Sequence, residues 1–133
     1  MFADKLTQAQ RQVVFDLAAN LAAADNDVSD EEVQYLKDFS SAYGIDYDLN
    51  KSHLNIDDAI TLLDTKSSRI ITLQELIKLS YKDGHFGDEE QDKVFLIAQK
   101  MGLNDPELML RIEKWVRQGF DWIYEGEMMI EGE

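Results

Sequence analysis

A chain of 133 residues has room for one domain with one buried core, and 44% hydrophobic with 30% charged residues places it among folded rather than disordered chains. The formal charge of −14 disfavours nucleic acid and anionic membrane surfaces, which select clustered Lys and Arg, and favours cations or a basic protein as partners. Without cysteine, disulfides, thiolate metal sites and Cys nucleophiles are excluded.

Apolar residues recur at helical spacing along the whole chain. The N-terminal "MFADKLTQAQ" has neither a basic nor an apolar region, so no signal peptide is expected and the protein is expected to be cytoplasmic. Leu6, Ala9, Val13, Leu17 and Leu21 make one stripe of a first helix. Val33, Leu36, Phe39 and Tyr43 make a second, followed by an irregular connection, "YGIDYDLNKSHLN". Asn55 is placed to cap a short third helix carrying Ile56, Ala59, Ile60 and Leu63. Ser67 or Ser68 precedes a fourth, "RIITLQELIKLSY", and Val94, Ile97, Ala98 and Met101 share one face of a fifth. Asn104 or Asp105 can cap a long last helix, with Pro106 in its first turn. Leu108, Ile112, Trp115, Gly119 and Trp122 form a stripe on that helix; it reads as core-packing, with Trp115 and Trp122 as the candidate interaction surface for a protein partner. The tail from 125 to 133, "EGEMMIEGE", is acidic and expected to fray. No segment alternates like a strand.

The chain also matches itself. Displaced by 58 residues, so that Asp25 meets Asp83, "LAAADNDVSDEEVQYLKDFSSAYGI" (21–45) falls on "LSYKDGHFGDEEQDKVFLIAQKMGL" (79–103) without a gap. Asp30, Glu31, Glu32 and Gly44 meet Asp88, Glu89, Glu90 and Gly102, and Val13 and Ala18 meet Ile71 and Leu76. The same helix–turn–helix unit is used twice. The expected fold is therefore an all-α single domain over 1–133, with six or seven helices in two pseudo-symmetric halves, about 6–63 and 68–124, sharing one core.

The repeated turn admits two readings. Ser29 with Glu32 makes a capping box, Gly87 with Glu90 a weaker one, and Gly44 and Gly102 suit helix C-caps. The same carboxylates also have the spacing to hold a hard divalent cation: Asp25, Asp27 and Glu32 in the first turn, Asp83, His85 and Glu90 in the second. Spacing does not distinguish Ca²⁺, Mg²⁺, Mn²⁺ and Zn²⁺. Neither turn is an EF-hand, because the glycine and the final glutamate that such a loop requires are missing.

At these residues the sequence resembles the TerB-like family, which includes the tellurite-resistance TerB proteins and the N-terminal domain of DjlA co-chaperones. The family turn, A-x-x-D-G-x-hydrophobic-x-x-x-E followed by an amphipathic helix and a G-L pair, reads here "AAADNDVSDEEV…YGI" and "SYKDGHFGDEEQ…MGL". The resemblance runs from about Leu6 through the last helix. It implies a two-half helical fold and a non-enzymatic stress-response module acting with partner proteins. It also implies divalent metal binding through Asp25, Glu32, Asp83 and Glu90. Asn26 departs from the family glycine, and His85 stands where the first copy has Asp27. With no J-domain "HPD" and no membrane span, a lone TerB-like domain is expected rather than a complete DjlA-type protein. An enzyme is not expected: neither His53 nor His85 has an adjacent nucleophile, and "GHFG" lacks the Lys–Ser/Thr of a phosphate loop. The alternative to the metal-binding module is a helical scaffold or adaptor whose acids only cap helices. A carboxylate-based metal-dependent hydrolase ranks behind both.

Overall fold

The computed structural model describes residues 2–23, 28–51, 53–81 and 87–132. Its six α-helices are α1 (Gln8–Ala23), α2 (Asp30–Tyr43), α3 (Ile56–Ala59), α4 (Lys66–Ser80), α5 (Asp88–Lys100) and α6 (Pro106–Ile130). Short 3₁₀ turns at Ala3–Lys5 and Ile60–Leu62 complete the regular structure, and no strand occurs among the described residues. The all-α class is as the periodicity predicts.

Two helices are central. In α1 the buried residues are Val13, Val14, Phe15, Leu17, Ala18, Ala19, Leu21 and Ala22. Such a set covers more than one face, so α1 needs neighbours on several sides. Every one of these positions recurs, 58 residues later, as a buried residue of α4, from Val13/Ile71 to Ala22/Ser80. Among the described residues, these two helices make the most extensive helix–helix contact. Around them, α2 and α5 bury the equivalent positions Leu36/Val94, Phe39/Ile97 and Ser40/Ala98. Helix α6 packs against α4 and buries Met109, Ile112 and Val116.

The helix ends recur at the same displacement. Thr7 Oγ1 accepts the Gln10 amide (3.1 Å) and Gln10 Oε1 accepts the Thr7 amide (3.0 Å) at the start of α1. At the start of α4, Thr65 and Ser68 exchange the same pair of bonds at 3.1 and 3.2 Å. Arg11 and Arg69 are equivalent too. Arg11 donates to the Ala3 and Asp4 carbonyls, both at 2.9 Å, and lies over the Tyr43 ring; Arg69 donates to the Leu63 carbonyl (2.7 Å) and the Met101 carbonyl (3.2 Å). Each guanidinium ties the chain entering a central helix to the end of the following one. At those ends, the Ile45 amide reaches the Ser40 carbonyl (3.0 Å) and the Leu103 amide the Ala98 carbonyl (2.8 Å). Such closure needs a residue at positive φ, supplied by Gly44 (64°) and Gly102 (77°).

Three details differ from the sequence reading. Helix α4 starts at Lys66 with Thr65 as its cap, because Ser68 serves as the reciprocal partner in that box rather than as the cap. Ala9 is exposed, since α1 begins at Gln8 and its first turn stands above the core; Leu6 enters the core from the preceding segment. The acidic tail does not leave the helix at Tyr124: α6 continues through Ile130, carried by Glu and Met, which propagate helices well.

Two glycine substitutions should move stability in opposite directions. Gly44→Ala forces a Cβ into the left-handed region and is expected to destabilise by about 1 kcal/mol. Gly119 lies mid-helix with nothing within 4 Å of an added Cβ, so Gly119→Ala is expected to stabilise by up to about 1 kcal/mol. Urea unfolding of both variants measures this.

Candidate functional site

The acidic turns lead into α2 and α5. At α2, Ser29 Oγ accepts the Glu32 amide and Glu32 Oε1 accepts the Ser29 amide, both at 3.1 Å. At α5 only the returning bond is made, from the Gly87 amide to Glu90 Oε2 at 3.3 Å, since glycine has no side chain to complete the box. Asp30, Glu31, Asp88 and Glu89 occupy the first turns, where negative charge opposes the positive end of each helix. The described geometry thus gives Glu32 and Glu90 a capping role. Asp25, Asp27, Asp83 and His85 lie outside the described residues. Among the described residues, no three His, Asp or Glu side chains are grouped so as to hold a metal ion.

A buried polar cluster joins α2 to α4. Glu75 is buried where the first half of the sequence has Leu17. The Tyr35 hydroxyl donates to its carboxylate, and Lys78 Nζ lies 3.5 Å from Glu75 Oε2 and 6.0 Å from the centre of the Tyr35 ring. Burial by itself would raise the Glu75 pKa. Lys78 and the Tyr35 hydrogen bond lead the interactions that outweigh it, and the carboxyl is held below its ordinary value. Burial, then the adjacent carboxylate, pushes the Tyr35 phenol well above its ordinary value, so it remains a donor. Sequence reasoning missed this cluster. The available signal was Glu75 itself, a charge falling opposite an apolar residue in the self-alignment.

The third region is α6. Its first half is a core helix: Trp115 is partly buried against the core and stacks on Phe2 (6.0 Å), and Phe120 stacks on Tyr81 (6.1 Å). Beyond Phe120 no residue of α6 is buried. Trp122 is 79% exposed, and Ile123, Tyr124, Met129 and Ile130 are exposed as well. A groove of about 450 Å³ runs along the junction, lined chiefly by Lys78, Trp115, Gly119, Phe120, Trp122 and Ile123. Of the two tryptophans singled out in the sequence, Trp115 forms the inner wall and Trp122 the outer.

No protein-family model, curated protein or solved structure matches the chain. Among the described residues, no helix is long and apolar enough to cross a membrane.

The Glu75 cluster has a definite pH signature. Its depressed pKa means that folding favours the carboxylate. The resulting stability is fully present above the unfolded-state pKa, about 4.3, and is lost as pH falls through the lower folded value. The stability gap between wild type and Glu75→Gln, followed by urea melts, is therefore expected to be widest at neutral pH and to shrink below about pH 4. Tyr35→Phe removes a donor from a buried carboxylate and is expected to destabilise by about 1–3 kcal/mol at neutral pH.

Proposed function

We propose that this protein is a non-enzymatic, cytoplasmic interaction module of the TerB-like kind, which docks a partner protein on α6. The observation that carries this reading is the run of exposed apolar residues on the second half of α6, which includes Trp122, Met129 and Ile130, the most exposed large hydrophobic side chains among the described residues. Scattered exposed apolar residues are ordinary. A tryptophan with neighbouring isoleucine and methionine along one helix, beside a groove, has the composition of an interface anchor. A photo-cross-linking side chain at Tyr124 is expected to capture discrete proteins in cell extract, and Trp122→Ala is expected to abolish the capture. Capture unaffected by Trp122→Ala would count against the reading, as would a specific turnover by the purified protein.

The recurrence around the turns favours a second role beside the first, binding of a divalent cation. The N-caps that follow 24–27 and 82–86, Ser29 and Gly87, stand 58 residues apart, the displacement that also relates Asp25 to Asp83 in the sequence. The first donor set, Asp25, Asp27 and Glu32, is all carboxylate and suits Mg²⁺, Ca²⁺ or Mn²⁺; His85 in the second also admits Zn²⁺. A carboxylate has two oxygens, so capping by one does not preclude ligation by the other. In a thermal melt of metal-stripped protein, an ion that binds only the folded state at ~100 times its Kd stabilises by about 2.7 kcal/mol. The midpoint is expected to rise with one of these ions in wild type and not in Asp25→Asn/Asp83→Asn. An unshifted midpoint with every ion leaves the acids as helix caps in a scaffold.

A further inference from the structure

The core-facing stripe of α6 does not stop where the core stops. Met109, Val116, Ile123 and Ile130 follow one another at seven-residue steps, on nearly the same face of the helix. Their exposures are 5%, 4%, 53% and 87%. The first two residues pack on the domain; the last two continue the same face with nothing among the described residues covering it. Beside them, Trp115, Gly119, Trp122, Gly126 and Met129 alternate at four- and three-residue steps, the spacing of a helix–helix seam. Large side chains there alternate with glycines. Neither Gly119 nor Gly126 has any atom within 4 Å of an added Cβ, so the domain itself does not fill these gaps. Glycine inside a helix weakens it. Here it leaves recesses between Trp115, Trp122 and Met129 that a second helix can enter.

The charge around this face selects the occupant. From Asp121 to Glu131 there are four acids, Asp121, Glu125, Glu127 and Glu131, and no Lys or Arg. Lys78, the only base among the described groove-lining residues, is already paired with Glu75 at 3.5 Å. A second copy would bring another chain of charge −14 and the same acids to the surface. We infer that the second half of α6 is a docking rail for a basic amphipathic helix of a partner protein, whose apolar seam covers Trp122, Ile123, Met129 and Ile130 while its Lys and Arg flank the acids of α6. This rests on the reading of the protein as an interaction module and adds the partner's chemistry to it.

The test uses the full chain and a labelled synthetic amphipathic peptide with leucine at heptad seam positions and lysine elsewhere. Two controls accompany it, one with glutamate for lysine and one with the same composition scrambled. The lysine peptide is expected to bind saturably, with affinity falling as salt rises. Trp122→Ala and Ile123→Glu, both at exposed positions that leave the core intact, are each expected to weaken it roughly ten-fold or more. The glutamate and scrambled peptides are expected not to bind. Equal binding of the scrambled peptide, or binding untouched by either substitution, overturns the proposal, because attraction would then be to bulk negative charge. Sedimentation showing a dimer that Trp122→Ala dissociates overturns it in favour of a second copy. If Trp122→Ala abolishes cross-linking of a cellular partner while the lysine peptide fails to bind, the interaction module stands and the basic-helix partner falls.

Discussion

Helices α1 and α4 have to be buried on most of their sides, and the remaining helices are arranged to meet that requirement. Eight positions of α1 are buried, and the same eight are buried in α4 when the two are aligned through the internal repeat, with Ser68 in addition. A helix apolar over more than one face gains little from a single neighbour. Pairing the two central helices covers part of that surface. Covering the rest calls for α2, α5 and α6, and positions their ends. The arginines at 11 and 69 and the closures at Gly44 and Gly102 are then local devices that hold each unit to its central helix.

Within this packing one position breaks the pattern. Leu17 has Glu75 as its counterpart, and a buried carboxylate is tolerated only with strong partners. Tyr35 supplies a donor whose own pKa is pushed upward, and Lys78 supplies a charge from the next turn of the same helix. Tyr35 falls on Lys93 in the self-alignment, so neither member of the Glu75–Tyr35 pair has a like residue at the matching position. Lys78 also lines the α6 groove, which places the buried cluster and the exposed surface on one side of the molecule.

Helix α6 is subject to a different constraint. As far as Phe120 it behaves like any amphipathic helix on a core, and beyond that point it has a core-like face without a core. At 1.5 Å per residue, the segment from Asp121 to Ile130 extends about 15 Å. On the function proposed above, the hydrophobic effect makes that face the place where a partner docks, and its flanking acids bias which partner approaches.

Much of the fold is legible in the sequence because the information is local. Helical periodicity, the Ser29–Glu32 box, Asn55, Asp105 with Pro106 and the glycines at 44 and 102 each depend on residues within one turn of each other, and the structure places each where that chemistry requires. The self-alignment likewise pairs positions such as Val13 and Ile71 that are both buried. Other features depend on distances the sequence does not contain. That Thr65 rather than Ser67 or Ser68 caps α4 follows from which hydroxyl reaches which amide. Glu75 finds Tyr35 forty residues away only once α2 lies on α4. In the sequence, Trp115 and Trp122 belong to one stripe with one spacing; only the tertiary structure decides that Trp115 lies against Phe2 and that Trp122 is left in solvent, because the core ends between them. Periodicity specifies which face of a helix is apolar, whereas the length of the neighbouring helices specifies how much of that face is covered.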